Sequence, residues 1–353
     1  MNFETQQHIT IENVLNQARI LIPYNEARIL LQSVLKINHA YIIAHPDQNL
    51  IPILIHTFQL LVNRRTSGEP IAYILGECEF YSIKFKVTPS VLIPRPETEL
   101  LVDLALEKIS LDMPCEILEL GTGSGAIAIT IAKHRALSNV TAADNSVDAI
   151  AIAKINAEYL SANNVHVIKS DWFGELTRKR FDLIISNPPY IALDDPHLNQ
   201  EDLRFEPELA LVAGQDGMDC IQTIISSAIS YLNVGGWLLL EHGYNQAKIS
   251  KQLLKEAGFS NIFSRSDLAG ISRVSGGRYG KVAQQNNISG EMNHNDNYTI
   301  RVITGIDDGD DEDDEGVLVG NPSLSKELTV EFVEPPPREK EELVIVSKID
   351  VKD

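Results

Sequence analysis

The apolar positions in the first 75 residues recur at helical spacing. Ile9, Val14, Leu15, Ala18 and Leu21 share one face, and Ala27, Leu30, Leu31, Val34 and Leu35 share another. A third helix is predicted over 54–65, ending before Thr66-Ser67-Gly68, where glycine permits a left-handed turn. Short amphipathic helices of this kind make a small bundle, suited to recognising a partner. From 80 to 91 the pattern becomes alternation, clearest at Ile83, Phe85 and Val87, which predicts a β-hairpin. Pro94 and Pro96 then set a fixed turn before a helix over 97–109.

Beyond this point strand-like and helix-like segments alternate. The strand-like runs are 115–120, 140–143, 165–169, 181–186, 236–241 and 262–266, with helices predicted at 126–134, 147–162, 217–232 and 246–257. Such alternation argues for an α/β fold with a doubly wound, mostly parallel sheet. The last piece, Arg278-Tyr279-Gly280-Lys281-Val282, reads as an edge strand. After Ala283 the pattern stops, and Asp307 to Glu315 holds eight carboxylates in nine residues. Self-repelling runs of this kind rarely pack, so 284–353 is expected to be a disordered acidic tail, with β-prone islands at 328–333 and 343–349. The expected organisation is therefore a helical recognition domain over 1–75, a hairpin linker over 76–95, a catalytic domain over 96–283, and the tail.

Composition narrows the class. A chain of 353 residues with 44% hydrophobic content can bury a sizeable core. No apolar run approaches the roughly 20 residues needed to span a bilayer, and no signal peptide is read at the N-terminus. Three cysteines, Cys78, Cys115 and Cys220, show no metal-ligand spacing. A reduced, cytoplasmic protein without structural metal is expected. Of the net charge of −19, residues 284–353 contribute 18 acidic and 6 basic side chains. The remaining body is still acidic, which argues against stable, sequence-independent nucleic-acid binding.

Two turns carry the chemistry. Gly121-Thr122-Gly123-Ser124-Gly125 lies where a predicted strand meets a helix, and its glycines permit close backbone approach by a ligand. Alone, this loop suits nicotinamide cofactors, flavins, S-adenosylmethionine or a purely structural turn. Asp144 ends the next strand, where a carboxylate can accept from both ribose hydroxyls or simply cap a helix. Asp171 and Trp172 follow the third strand, where they can serve an exocyclic amine and an adenine face. Three successive strand ends thus point to one pocket.

Asn187-Pro188-Pro189-Tyr190 is more specific. An amide or aromatic amine is a poor nucleophile because its lone pair is delocalised. Two fixed acceptors, the Asn187 side-chain carbonyl and the Pro188 main-chain carbonyl, can hold both of its hydrogens and shift electron density toward nitrogen. Pro189 stiffens that backbone, and Tyr190 can stack on a flat group.

With these turns in hand, the chain resembles the protein N5-glutamine methyltransferases, particularly those acting on peptide chain release factors. The likeness extends from the N-terminal helices to about Ala283. It includes Arg64-Arg65 with Gly68-Glu69-Pro70, Ile93-Pro94-Arg95-Pro96-Glu97-Thr98-Glu99, Phe205-Glu206-Pro207, and Asp267-Leu268-Ala269-Gly270. The resemblance implies a seven-stranded class I methyltransferase domain using S-adenosyl-L-methionine. It further implies that Gly121 to Gly125, Asp144 and Trp172 bind cofactor, that Asn187 touches cofactor and substrate, and that Asn187 to Tyr190 hold the glutamine of a Gly-Gly-Gln loop. Arg95 either lines the site or pairs with Glu97 or Glu99. A ribosomal-protein glutamine and, more remotely, a DNA adenine remain as alternative acceptors.

Overall fold

The computed structural model describes residues 9–176, 179–199, 202–280, 301–303 and 344–346. The described residues up to Gly280 form one compact unit. It opens with α1 (Ile11–Ala18), α2 (Tyr24–Leu35), α3 (His39–Ala44), α4 (Pro52–Thr66) and α5 (Ile71–Leu75). Thr10 starts α1 with a reciprocal cap: its hydroxyl accepts from Asn13 N–H while the Asn13 side chain accepts from Thr10 N–H. The apolar stripes close on one another, burying Ile11, Leu15, Leu30, Leu31, Phe58 and Val62. Removing those stripes from water is what holds helices this short in place.

A hairpin follows, β1 (Glu77–Phe80) and β2 (Ile83–Lys86), paired from Glu77–Lys86 to Phe80–Ile83. It begins earlier than the alternation suggested, because the first three residues of β1 are two exposed glutamates around a single half-buried Cys78. Its two turn residues, Tyr81 and Ser82, both have positive φ, as a two-residue hairpin turn of the primed type requires.

The rest of the unit is α6 (Glu99–Lys108), β3 (Glu116–Leu120), α7 (Ala126–His134), β4 (Asn139–Asp144), α8 (Val147–Tyr159), β5 (Val165–Lys169), β6 (Phe181–Ser186), α9 (Asp219–Ala228), β7 (Leu232–Glu241), α10 (Ala247–Glu256), β8 (Phe259–Ser266) and β9 (Ser272–Tyr279). Seven strands make one sheet in the order β5-β4-β3-β6-β7-β9-β8. The first five are parallel, and β9 joins both β7 and β8 antiparallel. Successive strand residues feed opposite cores. Ile117, Leu183, Ile185 and Leu239 meet α6 and α7, whereas Leu118, Leu120, Ile184, Leu238 and Leu240 meet α9 and Leu254 of α10.

One expectation is corrected here. Of the segment read as an edge strand, Arg278 and Tyr279 are the last residues of β9, which lies inside the sheet between β7 and β8, and 281–282 fall outside the described residues. The reason is Gly276: a Cβ there would stand 2.6 Å from Leu239 Cδ2 and 2.8 Å from Leu238 O. Only a residue without a side chain lets β9 lie this close, and that residue erases the alternation by which an inner strand is recognised.

In the second unit, residues 281–353, two described strands pair in parallel, β10 (Arg301–Ile303) and β11 (Val344–Val346). The second lies within the predicted island at 343–349. The island at 328–333 and the expected disorder of the acidic tail fall outside the described residues.

Candidate active site

The register of the sheet brings the chemistry to one edge. Leu120 pairs with Ala143 and with Ser186, and Ser186 pairs with Leu240. The residues that follow, Gly121, Asp144, Asn187 and Glu241, therefore emerge together at the carboxyl ends of four adjacent strands. Asp171 and Trp172 follow β5 at the same edge, because Asp144 pairs with Lys169. The carboxyl edge is where open α/β sheets bind ligands.

In the glycine loop, Gly121, Gly123 and Gly125 take φ of 71°, 54° and 81°. No atom lies within 4 Å of where a Cβ on Gly123 would stand. Packing therefore does not require glycine at 123; the left-handed backbone and the open space do. Thr122 and Ser124 turn inward and are buried. The Thr122 hydroxyl donates to Glu119, and the Ser124 carbonyl accepts from buried Asn156 at 2.8 Å. Asp144 secures the loop from the next strand, accepting from Gly123 N–H at 2.8 Å through one oxygen and from Ser146 N–H at 2.9 Å through the other. Below the loop, Glu119 is 1% exposed and accepts from Ala128 N–H at 3.1 Å. Burial pushes its carboxyl up to about 8. Asp171 is exposed, and Trp172, at φ 47°, lays a half-buried indole against the core.

The Asn187-Pro188-Pro189-Tyr190 turn adjoins this loop, with the Asn187 carbonyl 4.0 Å from the position of a Cβ on Gly121. The Asn187 side-chain amide donates through Nδ2 to Thr98 Oγ1 at 3.2 Å. That bond, by which the amide is oriented, leaves Oδ1 to accept. Pro188 is buried and Pro189 half-buried. Tyr190 packs its ring on the α9 side of the sheet, its hydroxyl donates to Glu241 at 3.3 Å, and its carbonyl accepts from Gln246 Nε2 at 3.0 Å.

Beside the turn is a small open cavity of about 60 Å³, lined among others by Arg95, Asn187, Pro188, Tyr190, Leu203 and Leu211. Arg95 thus borders the site, but neither Glu97 nor Glu99 is its hydrogen-bonded partner. It pairs with Glu206, whose side chain has no exposure and also accepts from Ile93 N–H at 3.1 Å. Burial raises the Glu206 carboxyl against the opposing charge of Arg95. The same short segment reaches the helical bundle: Asp202 pairs with Arg65 at 3.1 Å, and Arg204 donates to Ser67 O at 3.0 Å.

Sequence reasoning singled out neither Thr98 nor Glu241 nor Gln246 as site residues. Thr98 stood within the Ile93–Glu99 stretch, and Glu241 was visible as the lone carboxylate closing an apolar run; Gln246 carried no signal.

The chain matches two family models, one described as methyltransferase small domain over residues 97–200 and one as PrmC N-terminal domain over residues 9–76. It is 46% identical over 258 residues to the release factor glutamine methyltransferase of Coxiella burnetii, covering 73% of this chain and 92% of that protein. Against the release factor glutamine methyltransferase of Escherichia coli it is 42% identical over 257 residues, with the same coverage of 73% and 92%. Among solved structures, the release factor-specific protein-(glutamine-N5) methyltransferase of Alicyclobacillus acidocaldarius is 31% identical, with a TM-score of 0.36 over 56% of this chain and 100% of that one. Identity at this level, sustained over nearly the whole length of these curated relatives, means that the chain belongs to the release factor glutamine methyltransferase family.

Proposed function

We infer that this protein transfers a methyl group from S-adenosyl-L-methionine to the side-chain amide nitrogen of a glutamine in peptide chain release factors, in their Gly-Gly-Gln loop. The observation that carries this is the adjacency of the two turns, an open glycine cradle beside an asparagine whose Nδ2 is already engaged. Family membership favours a release factor over a ribosomal protein or a DNA base as acceptor.

The residues fit the cofactor. Gly121 to Gly125 supply a close-approach backbone, and Asp144, though bonded to two amides, keeps lone pairs for ribose hydroxyls. Trp172, with Asp171 beside it, offers an aromatic face to adenine. When bound, the cofactor supplies an electrophilic methyl group on a sulfonium. The chain's own part is to hold the acceptor. Asn187 Oδ1 and the Pro188 carbonyl accept the two amide hydrogens, Pro189 keeps that carbonyl fixed, and Tyr190 stacks on the carboxamide plane. Positioning supplies much of the rate, since no base is needed before transfer and the proton can leave afterwards to water. A glutamate side chain has no hydrogens for these acceptors and is refused.

The helices up to residue 75 serve as the recognition module, the hairpin over 76–95 as a linker, and 96–283 as the catalytic domain. Among the described residues no helix is long and apolar enough to cross a membrane, and we place the protein in the cytoplasm with its translational substrate. The test is transfer of labelled methyl to purified release factor by wild type and Asn187→Ala, with a ribosomal protein and duplex DNA as comparison acceptors. Label on the loop glutamine, lost in Asn187→Ala, is expected. Transfer to another acceptor alone, or an undiminished variant, would reverse the assignment.

A further inference from the structure

One buried acid, Glu241, stands at the same sheet edge as the two turns. Glu241 stands beside Asn187 in the sheet and has no solvent exposure. One carboxyl oxygen takes the Tyr190 hydroxyl at 3.3 Å. The other, Oε2, is equally buried and has no hydrogen-bond partner among the described residues. An unsatisfied buried carboxyl oxygen costs stability, and functional sites are where proteins retain such costs.

Its electrostatic surroundings are defined. Thr98 and Glu97 ahead of α6, Tyr190 after β6 and Arg273 on β9 act on it from the neighbouring elements. His242, next along the chain, has its ring nitrogens 2.9 Å from Gly243 O and 2.8 Å from Ser275 Oγ. The guanidinium of Arg273 is engaged by Asp267 at 3.0 Å. Burial raises the Glu241 carboxyl to about 7, with Glu97 adding to the effect and Thr98, Tyr190 and Arg273 opposing it.

Resting on the function proposed above, we propose that Glu241 is a positioning residue for methyl transfer: it anchors the Tyr190 ring through its hydroxyl and, as a carboxylate, offsets positive charge arising on the acceptor nitrogen. In that step the nitrogen–methyl bond forms as the methyl–sulfur bond breaks, so positive charge passes from sulfur to the amide nitrogen. The nitrogen then releases one hydrogen to water as a proton. A negative charge next to the ring that holds the amide favours this transfer of charge over the starting arrangement.

The experiment compares wild type with Glu241→Gln, which keeps the shape and still accepts from Tyr190. Turnover and KM for release factor are measured from about pH 5 to about pH 9, and melting temperatures are taken on the same proteins without substrate. Wild-type kcat is expected to rise through about pH 7. Glu241→Gln should lose that rise and fall about ten- to a hundredfold below wild type at high pH, with KM unchanged. Its melting behaviour should run the opposite way. A raised carboxyl stabilises the fold below its unfolded range, and that contribution is lost as pH rises through its folded value, so the glutamine variant should melt higher than wild type at about pH 8. A variant with wild-type turnover and pH profile would overturn the proposal, as would one that melts lower at high pH, since that marks a structural hydrogen bond. A wild type inactive on release factor would sink the proposed function and this proposal together, which separates that failure from failure of the variant comparison alone.

Discussion

Arg95→Met is the most demanding test of how the cavity beside Asn187 is built. Methionine keeps an apolar stem of similar reach and removes the charge. What it leaves behind is Glu206, a carboxyl with no exposed side-chain surface and only the Ile93 N–H as partner. Breaking a buried pair by removing one member costs about 3–5 kcal/mol. Because the Arg95 side chain is 28% exposed, the loss should fall near the lower end, about 3 kcal/mol. At about 2–4 °C per kcal/mol for a body of this size, the melting temperature should drop by about 6–12 °C. Glu206→Gln, which keeps an acceptor for Ile93 N–H and carries no charge, should cost about 1 kcal/mol. The double variant should then be more stable than Arg95→Met alone, since no naked carboxylate remains. Removing Arg95 also lifts the already raised Glu206 carboxyl further, so the defect should be largest at high pH and shrink as acid protonates the group. Urea unfolding of the four proteins, followed by circular dichroism at about pH 8 and about pH 5, measures both signatures. Strict additivity, or a defect that ignores pH, would refute the reasoning.

Other outcomes follow from the same geometry. Gly276→Ala should destabilise by about 1–3 kcal/mol, because the new methyl meets Leu238 O and Leu239 inside the sheet; thermal unfolding checks this. Asp144→Ala should weaken S-adenosylmethionine binding by about tenfold or more, about 1.4 kcal/mol, since both a ribose contact and the tie to Gly123 N–H are lost, which calorimetry reads directly. Glu119→Gln should match wild-type stability in acid and exceed it above about pH 8, because the buried carboxyl's contribution is present below its ordinary value of 4.5 and lost as pH passes about 8. Denaturation midpoints across pH would show the divergence or its absence.

Much of the fold was legible because its signals are local. The parallel strands announce themselves as short apolar runs, and the two turns stand where those runs stop. The strand ends at Gly121, Asp144 and Asp171 could therefore be assigned to one pocket from the sequence alone. What escaped was non-local or negative. Arg95 and Glu206 meet across 111 residues, and nothing in either neighbourhood names the other, so the nearby Glu97 and Glu99 were the natural guesses. β9 was misplaced because Ser275-Gly276-Gly277 make room by having almost no side chains, and an absence has no period. Glu241 was read as the end of a strand; its worth depends on what lies across the sheet, which only the register reveals.

The segment from Asp202 to Glu206 touches the helical bundle at one end and the cavity beside Asn187 at the other. Bundle and cavity wall therefore hang on one five-residue strap, so that the Arg65–Asp202 pair and the Arg95–Glu206 pair bear on the same short stretch of backbone.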